Sequence, residues 1–326
     1  MDNNDKLRPL YLGKILYERT DEEHSLTTNQ LIDILRDEYG LSTHRQTLAT
    51  EIELLQNFGM DIKCIKSTQN KYHLVSRDFD LAELKLMIDA VDSCKFISKK
   101  ESKKLAGKLG SLAGMYKSEE INRNITASGK VRTTNEKTCL IIDAINTAIN
   151  HKCKVSFKYF TYNQKKKKVL KHDGRTYTFS PYDLIWDGDR YYMVGCDDEH
   201  EEIRTFRVDR IYGVPELLDK QAVMKPKDFD VTKHVNTTFH MFNAEVQEVT
   251  LICTNDTMDS IIDRFGEKVK ATPVDDEGFQ LTAEVSTSHI FYSWIFGFGG
   301  KVRIVGPESV KEEYKAMVKK AMAGLE

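Results

Sequence analysis

Apolar residues recur at helical spacing in the N-terminal part of the chain. The spacing predicts amphipathic helices over residues 9–19, from Thr27 or Thr28 to Tyr39, and over residues 44–58. A glycine follows the second and the third of these segments, where helices commonly end. Residues 61–66 and 71–75 then alternate in polarity around a polar turn, which predicts a β-hairpin. The pattern therefore predicts three helices followed by a hairpin.

The pattern changes from helical to β character along the rest of the chain. Residues 78–116 and 138–150 carry apolar stripes at helical spacing, with a polar loop predicted at 122–136. Strand-like segments follow at 155–160, 177–180, 190–195 and 203–211, and this close spacing is typical of a small barrel or sandwich. After Pro215 strand-like and helical segments alternate, which predicts a compact α/β domain.

These elements predict a multidomain α+β protein. We expect a winged helix-turn-helix at residues 1–78, a helical connector at 79–150, a small Sm/SH3-like β-barrel at 151–218 and a C-terminal α/β domain at 219–326. A chain of 326 residues is long enough for several such domains.

Composition and the lack of known motifs exclude several classes of function but do not identify one. The net charge of −2 means that any DNA-binding surface must concentrate its positive charge locally. The six cysteines are widely spaced, and no secretion signal or membrane span is evident, so we expect a cytoplasmic protein with reduced thiols and no membrane contact. No phosphate-binding loop or catalytic motif is present, and we expect no enzymatic activity, no cofactor and no metal. The acidic run at 197–202 reads as a solvated turn rather than a cation site.

The third predicted helix carries a candidate DNA-reading surface. In a helix-turn-helix the N-terminal part of the second motif helix enters the major groove, where polar side chains meet bases and phosphates. The candidate residues there and on the hairpin are Thr43, His44, Arg45, Gln46, Thr47, Thr50, Lys66 and Lys71. The alternatives are an ordinary polar surface helix or a protein-binding winged helix.

The β-rich region carries a candidate anion-binding surface. Arginine is the side chain best suited to bidentate recognition of phosphate, and an adjacent tyrosine offers a stacking face for a base. The candidate residues are Tyr159, Arg190, Tyr191, Tyr192, Arg204, Arg207 and Arg210. Strand alternation turns Arg207 and Asp209 outward and makes Arg207 the best candidate ligand contact. For Arg210 a structural contact, with Asp209 or with a carbonyl, is an equal alternative, and one of the two tyrosines at 191 and 192 is expected to be core.

A second basic feature, the lysine run at 165–168, reads as a solvated hairpin tip in preference to a nucleic-acid contact.

The arginine- and tyrosine-rich block at 181–211 resembles the WYL family of bacterial regulators, with Tyr191-Tyr192-Met193 at the place of the naming triplet. The segment 45–52 resembles the recognition helix of the same family, and residues 294–307 resemble its C-terminal extension, so the resemblance covers nearly the whole chain. The sequence departs from the family pattern at Thr50, where a basic residue is common, and near Tyr177, where an arginine is common.

The resemblance implies a bacterial transcriptional regulator. It implies an effector-binding module for nucleic acids or nucleotides and places Arg204 and Arg210 in the basic cluster of that module. The expected partners are a double-stranded DNA operator, a nucleic-acid or nucleotide effector and a second copy of the chain. The alternative is a non-transcriptional accessory protein that senses nucleotides or nucleic acid in a defence or stress system. Effector identity, operator sequence and the sign of regulation stay open.

Overall fold

The computed structural model describes residues 5–123, 131–242 and 244–324. These residues form eleven α-helices and several antiparallel sheets, none of which closes into a barrel within the described ranges. Residue contacts divide the chain into one unit of residues 1–136 and a second of 137–326, and each is described separately below. Part of the predicted loop at 122–136 lies outside the described residues.

The first unit begins with three helices and a small sheet, in the order that the hydrophobic pattern predicts. These elements are α1 (Arg8–Arg19), β1 (Leu26–Thr27), α2 (Thr28–Tyr39), α3 (Arg45–Phe58), β2 (Ile62–Ile65) and β3 (Lys71–Leu74), with sheet order β1-β3-β2. Thr27 and Gln30 form a reciprocal capping box at the start of α2, and Gly40 ends it in the left-handed conformation. Leucine and isoleucine side chains from all three helices share one buried core.

Three further helices complete the first unit: α4 (Leu81–Ser93), α5 (Lys99–Ser111) and α6 (Met115–Arg123). They have a separate core around Leu84 and Ile88. Arg77 joins this layer to the preceding one, because its Nη2 donates to the carbonyls of Tyr17 and Thr20 at 2.8 Å each. The hydroxyl of Tyr17 in turn donates to the carbonyl of Leu112 at 3.1 Å. Arg77 thus holds the segment before α4 against the end of α1, and Tyr17 connects α1 to the helical layer.

The second unit begins with a helix and a six-stranded antiparallel sheet. The elements are α7 (Thr138–His151), β4 (Cys153–Tyr162), β5 (Lys168–Leu170), β6 (Thr176–Asp187), β7 (Arg190–Asp197), β8 (Glu202–Arg207) and β9 (Ile211–Gln221). Strand β4 pairs with β5, β6 and β9, while β8 pairs with β7. The sequence analysis predicted a barrel, but the sheet is open. A 3₁₀ turn at Val208–Arg210 joins β8 to β9, and these two strands form no ladder with each other within the described ranges.

Both faces of this sheet are covered. On one face α7, which the sequence analysis placed in the connector, buries Ile141 and Ile145 against Phe157, Phe179 and other strand residues. On the other face the helix α8 (Val231–Thr237) and its flanks cover Ile185, Tyr192 and Val194, with Met241 in the same cluster. A ligand therefore has access to the sheet mainly at its ends and turns.

The C-terminal part of the second unit is a four-stranded sheet with three helices. Its elements are β10 (Val246–Thr254), α9 (Met258–Phe265), β11 (Ala271–Pro273), β12 (Gly278–Ser286), α10 (His289–Gly297), β13 (Val302–Gly306) and α11 (Glu308–Ala323), with sheet order β11-β12-β10-β13. Phe279, Phe291 and Ile261 lie in its buried core. Across all the described ranges, no helix has the length and apolarity needed to cross a membrane.

Candidate functional site

Two of the candidate anion-binding residues, Arg190 and Arg207, meet at one buried carboxylate, that of Asp209. Its side chain is 4% exposed, and Arg207 approaches it with both Nε (3.0 Å) and Nη2 (2.8 Å). Arg190 adds a third contact through Nη1 at 3.3 Å. The predicted strand 203–211 ends at Arg207, and the 3₁₀ turn that follows carries Asp209 back beneath the guanidinium groups. The prediction that Asp209 faces outward is therefore wrong.

The carboxylate fixes the orientation of the two arginines. Burial by itself lowers the pKa of Arg207, but the hydrogen bonds and charge of Asp209 outweigh this effect, so the pKa is raised. Arg190 also lies 3.4 Å from the Asp189 carboxylate, so two guanidinium groups face two carboxylates. About a quarter of each arginine side chain remains exposed. These arginines can therefore donate their outer N–H groups to a ligand. The positive charge of the site stays small, because the two carboxylates balance the two guanidinium groups.

Tyr159 contacts the residue at which the 3₁₀ turn begins. Its hydroxyl oxygen accepts the backbone N–H of Arg207 at 3.1 Å, and its ring packs edge-on against Phe206 at 5.2 Å between centroids. Burial raises its pKa to about 12, although the nearby charges of Arg207 and Arg210 act in the opposite direction. The phenol therefore stays neutral at physiological pH and positions the start of the turn.

The two tyrosines of the triplet lie on opposite faces of β7. Tyr192 stands across the ladder from Arg207, is 7% exposed, and its hydroxyl donates to the carbonyl of His240 at 3.5 Å. Burial raises its pKa. Tyr191 is half-buried, packs with the α7-side core and lies edge-on to Trp186. The sequence could not show which of the two tyrosines is the core residue. In the structure it is Tyr192, and Tyr191 is partly buried against the other face of the sheet.

Arg210 has a different environment from the other arginines of this group. Its guanidinium lies 4.8 Å from the ring centroid of Tyr162 and 5.8 Å from that of Phe160. The expected salt bridge with Asp209 is absent in the described part of the chain, because Asp209 is taken by Arg190 and Arg207. The Tyr162 side of this pair is accessible, since Tyr162 is 41% exposed. Arg210 and Tyr162 thus present a cation beside an open aromatic face.

Arg204 lies apart from this cluster, at a second buried carboxylate. Its Nη1 is 3.1 Å from Asp197, whose other partner is the imidazole of His200 at 2.8 Å. Asp197 is 1% exposed, so the acidic run at 197–202 is not wholly the solvated turn predicted from the sequence. Nearby, Arg175 pairs with Glu199 and stacks over Tyr177 at 5.0 Å. Among the described residues no cluster of three or more potential metal ligands occurs.

The candidate DNA-binding residues lie at the start of α3 and on the hairpin. His44, Arg45, Gln46, Thr47 and Thr50 are exposed, and Thr43 is half-buried. Arg45 Nη2 donates to the side-chain oxygen of Asn29 at 3.1 Å, which ties the first turn of α3 to α2. Lys66, which follows β2, and Lys71, in β3, are exposed as well. The residues named from the sequence therefore share two adjoining elements of the first unit.

Two family models match the second unit. Residues 141–215 match the WYL domain and residues 245–322 match the WCX domain, so the chain contains both domains. No curated protein matches the chain. Among solved structures, proteasome accessory factor B/C (PafBC) of Arthrobacter aurescens is similar over 97% of this chain and 48% of its own, at 17% identity and a TM-score of 0.30. A CRISPR Cas-related protein is similar over 77% of this chain and 75% of its own, at 15% identity and a TM-score of 0.39.

Replacing Asp209 should test its part in this site. In Asp209→Asn we expect the free energy of unfolding of the second unit to fall by about 2–4 kcal/mol, because two partly buried guanidinium groups lose their shared carboxylate. Both tryptophans, Trp186 and Trp294, lie in the second unit, so denaturant unfolding followed by tryptophan fluorescence reports on it alone. Glu202→Gln, which removes an exposed partner of Arg204, is the matched control and should change the value by about 0.5 kcal/mol or less. Equal values for both variants would contradict the organising role of Asp209.

Proposed function

We propose that the protein is a DNA-binding transcriptional regulator whose WYL domain senses an anionic, nucleic-acid or nucleotide effector. The observation that carries the proposal is the start of α3, residues 45–50, which holds no acid and is exposed except at Leu48, in a chain that also contains WYL and WCX domains. In this interpretation α1 to α3 and the β2–β3 hairpin are a winged helix-turn-helix. The strands β4 and β6 to β9, with a 3₁₀ turn before the last, are an open version of the Sm/SH3-like arrangement.

The charge arrangement of α3 supports contact with phosphates. The first acidic residue of the helix, Glu51, is 6% exposed and pairs with Arg8 at 2.7 Å. Its negative charge is therefore turned inward and neutralised, so that His44 to Thr50 can approach DNA without an exposed carboxylate. Arg45 also lies at the positive end of the helix dipole, where phosphate is favoured. Side chains at this place in a helix-turn-helix read base edges in the major groove.

Substitution of Arg45 tests the DNA-binding proposal. We expect Arg45→Ala to weaken binding to a selected genomic operator by about 1–3 kcal/mol, measured by fluorescence anisotropy, because one base or phosphate contact is lost. Affinity of the unaltered protein should fall steeply with salt, since neutralised phosphates release counterions. Arg36→Ala is the control: Arg36 lies in α2, pairs with Asp33 and Asp37, and should leave affinity unchanged. Binding that is insensitive to both Arg45 and salt would exclude α3 as the reading helix.

The geometry of the WYL domain supports a divided role for its arginines. Arg190 and Arg207 are already oriented by Asp209, while Arg210 lies over Tyr162 with no carboxylate partner in the described ranges. Tyr159 lies beside this group: its hydroxyl accepts the backbone N–H of Arg207, and the charges of Arg207 and Arg210 both act to lower its pKa. A phosphate on Arg210 with a base on the exposed face of Tyr162 would combine charge and stacking. The outer N–H groups of Arg207 and Arg190 could then hold a neighbouring phosphate.

The effector proposal predicts that Arg210→Ala removes the effect of nucleotides or short single-stranded oligonucleotides on DNA affinity. Effector-free DNA binding should be unchanged, because α3 belongs to the other unit. Arg210→Lys should restore little, since an ammonium group lacks the planar fork of the guanidinium. Calorimetry with each ligand class on the three proteins, together with operator anisotropy, gives the measurement. Identical effector affinity in wild type and Arg210→Ala would leave Arg210 with a structural role only.

We also propose that the regulator acts as a homodimer, because a single helix-turn-helix reads only a short half-site and two copies read a pseudo-palindrome. Light scattering of the full-length protein at micromolar concentration should give twice the chain mass of 37.5 kDa. A monomer that still binds its operator tightly would contradict this arrangement.

A further inference from the structure

A cavity of about 650 Å³ lies in the second unit, outside the WYL sheet. The helix α8, the turn after α9 and strand β12 form its walls. The residues that matter for its chemistry are Lys233, Thr237, Arg264, Lys268, Lys270 and Thr282. Its volume falls within the range of small-molecule sites.

Arg264 is the central charged group of this cavity. Its Nη2 donates to the carbonyls of Asn236 (3.2 Å) and Thr238 (2.8 Å), and its guanidinium carbon lies 3.9 Å from the ring centroid of Phe239. Its Nε is buried and has no hydrogen-bond acceptor among the described residues. No carboxylate in those ranges forms an ion pair with Arg264. The guanidinium is thus held firmly in place but lacks a counter-ion.

The surroundings of Arg264 favour an anion. Burial lowers the pKa of Arg264, and the charge of Asp187 at the end of β6 acts in the opposite direction. Lys268 and Lys270 are exposed at the cavity, and neither has an ion-pair partner among the described residues. The two acids that line the cavity are engaged elsewhere: Glu284 binds Lys233 at 2.7 Å, and Asp230 caps the first turn of α8. Three cations thus face the cavity without a carboxylate of their own.

We propose that this cavity binds the phosphate of a mononucleotide, with Arg264 at its base and Lys268 and Lys270 at its rim. Several converging cations match the multiple charge of a phosphate monoester better than the single charge of a carboxylate. The cavity volume of about 650 Å³ is large enough for a ribose and base as well as a phosphate. The site is separate from the one proposed at Arg210, and either can exist without the other.

The position of α8 connects this cavity with the WYL sheet. Thr232, Lys233 and Asn236 line the cavity, while Val231 and Val235 on the same helix pack in the cluster that covers Tyr192. The same helix therefore contacts both a ligand in the cavity and the β7 face of the WYL domain.

Calorimetric titration of the full-length protein with AMP, inorganic phosphate, adenosine and a short single-stranded oligonucleotide tests the proposal. AMP should bind and adenosine should not. The double variant Lys268→Glu, Lys270→Glu should weaken AMP binding by about tenfold or more, and Arg264→Gln by about ten- to a hundredfold, as expected for lost charge-assisted hydrogen bonds. The matched control is Lys319→Glu, Lys320→Glu on α11, which makes the same change of net charge at exposed positions outside the cavity.

Four results would overturn the proposal. The first is the absence of AMP binding to the wild-type protein at millimolar concentration. The second is equal AMP affinity in wild type and the Lys268, Lys270 variant, which decides the matter even if Arg264→Gln fails to fold. The third is AMP binding that is lost in Arg210→Ala but kept in the cavity variants, because the ligand then occupies the WYL site. Binding of the oligonucleotide without AMP would likewise reject a mononucleotide as the ligand.

Discussion

The arrangement of the WYL domain depends on one carboxylate. Asp209 is carried by a 3₁₀ turn at the junction of two strands, and it draws Arg207 from the end of one strand and Arg190 from the start of another toward a single point. A buried carboxylate is tolerated only when it is well paired, and here both oxygens of the carboxylate have guanidinium partners. The turn, the arginine orientations and the Tyr159 hydrogen bond therefore form one connected structure. Loss of the acid would release the arginines that a ligand must find in place.

This arrangement limits which residues can meet a ligand. The strand face that carries Tyr192 is covered by α8 and Met241, and the opposite face is covered by α7. Arg210 and the exposed ring of Tyr162 lie at the end of the sheet near the 3₁₀ turn. A sheet covered on both faces behaves as a rigid support, with recognition confined to its turns. In the first unit, the residues that we propose contact DNA likewise lie at the exposed start of a helix.

Local signals in the sequence predicted much of the fold. Contacts between segments that are distant in the sequence could not be predicted and were found only in the structure. The capping of α2 at Thr27 and its end at Gly40 follow from the preferences of single residues, and the structure has both. The inward or outward direction of Arg207 and Asp209 could not be predicted in the same way, because strand alternation stops where the 3₁₀ turn begins. Tyr192 and Tyr191 were indistinguishable in the sequence, since the segment that covers Tyr192 lies about forty residues further on. Likewise, Arg264 gave no sequence signal, because its importance comes from having no ion-pair partner among the described residues, which depends on the fold.

The contacts of residues 236–240 have a consequence for how this protein can change in evolution. Tyr192 binds the main-chain carbonyl of His240, and Arg264 binds those of Asn236 and Thr238. Every residue type supplies a carbonyl, so these three hydrogen bonds survive replacement of the side chains at 236, 238 and 240. The connection between the two sheets of the second unit is thus encoded at Tyr192 and Arg264 and not in the segment that they hold. Homologous chains can therefore vary the sequence of this segment widely while retaining its course.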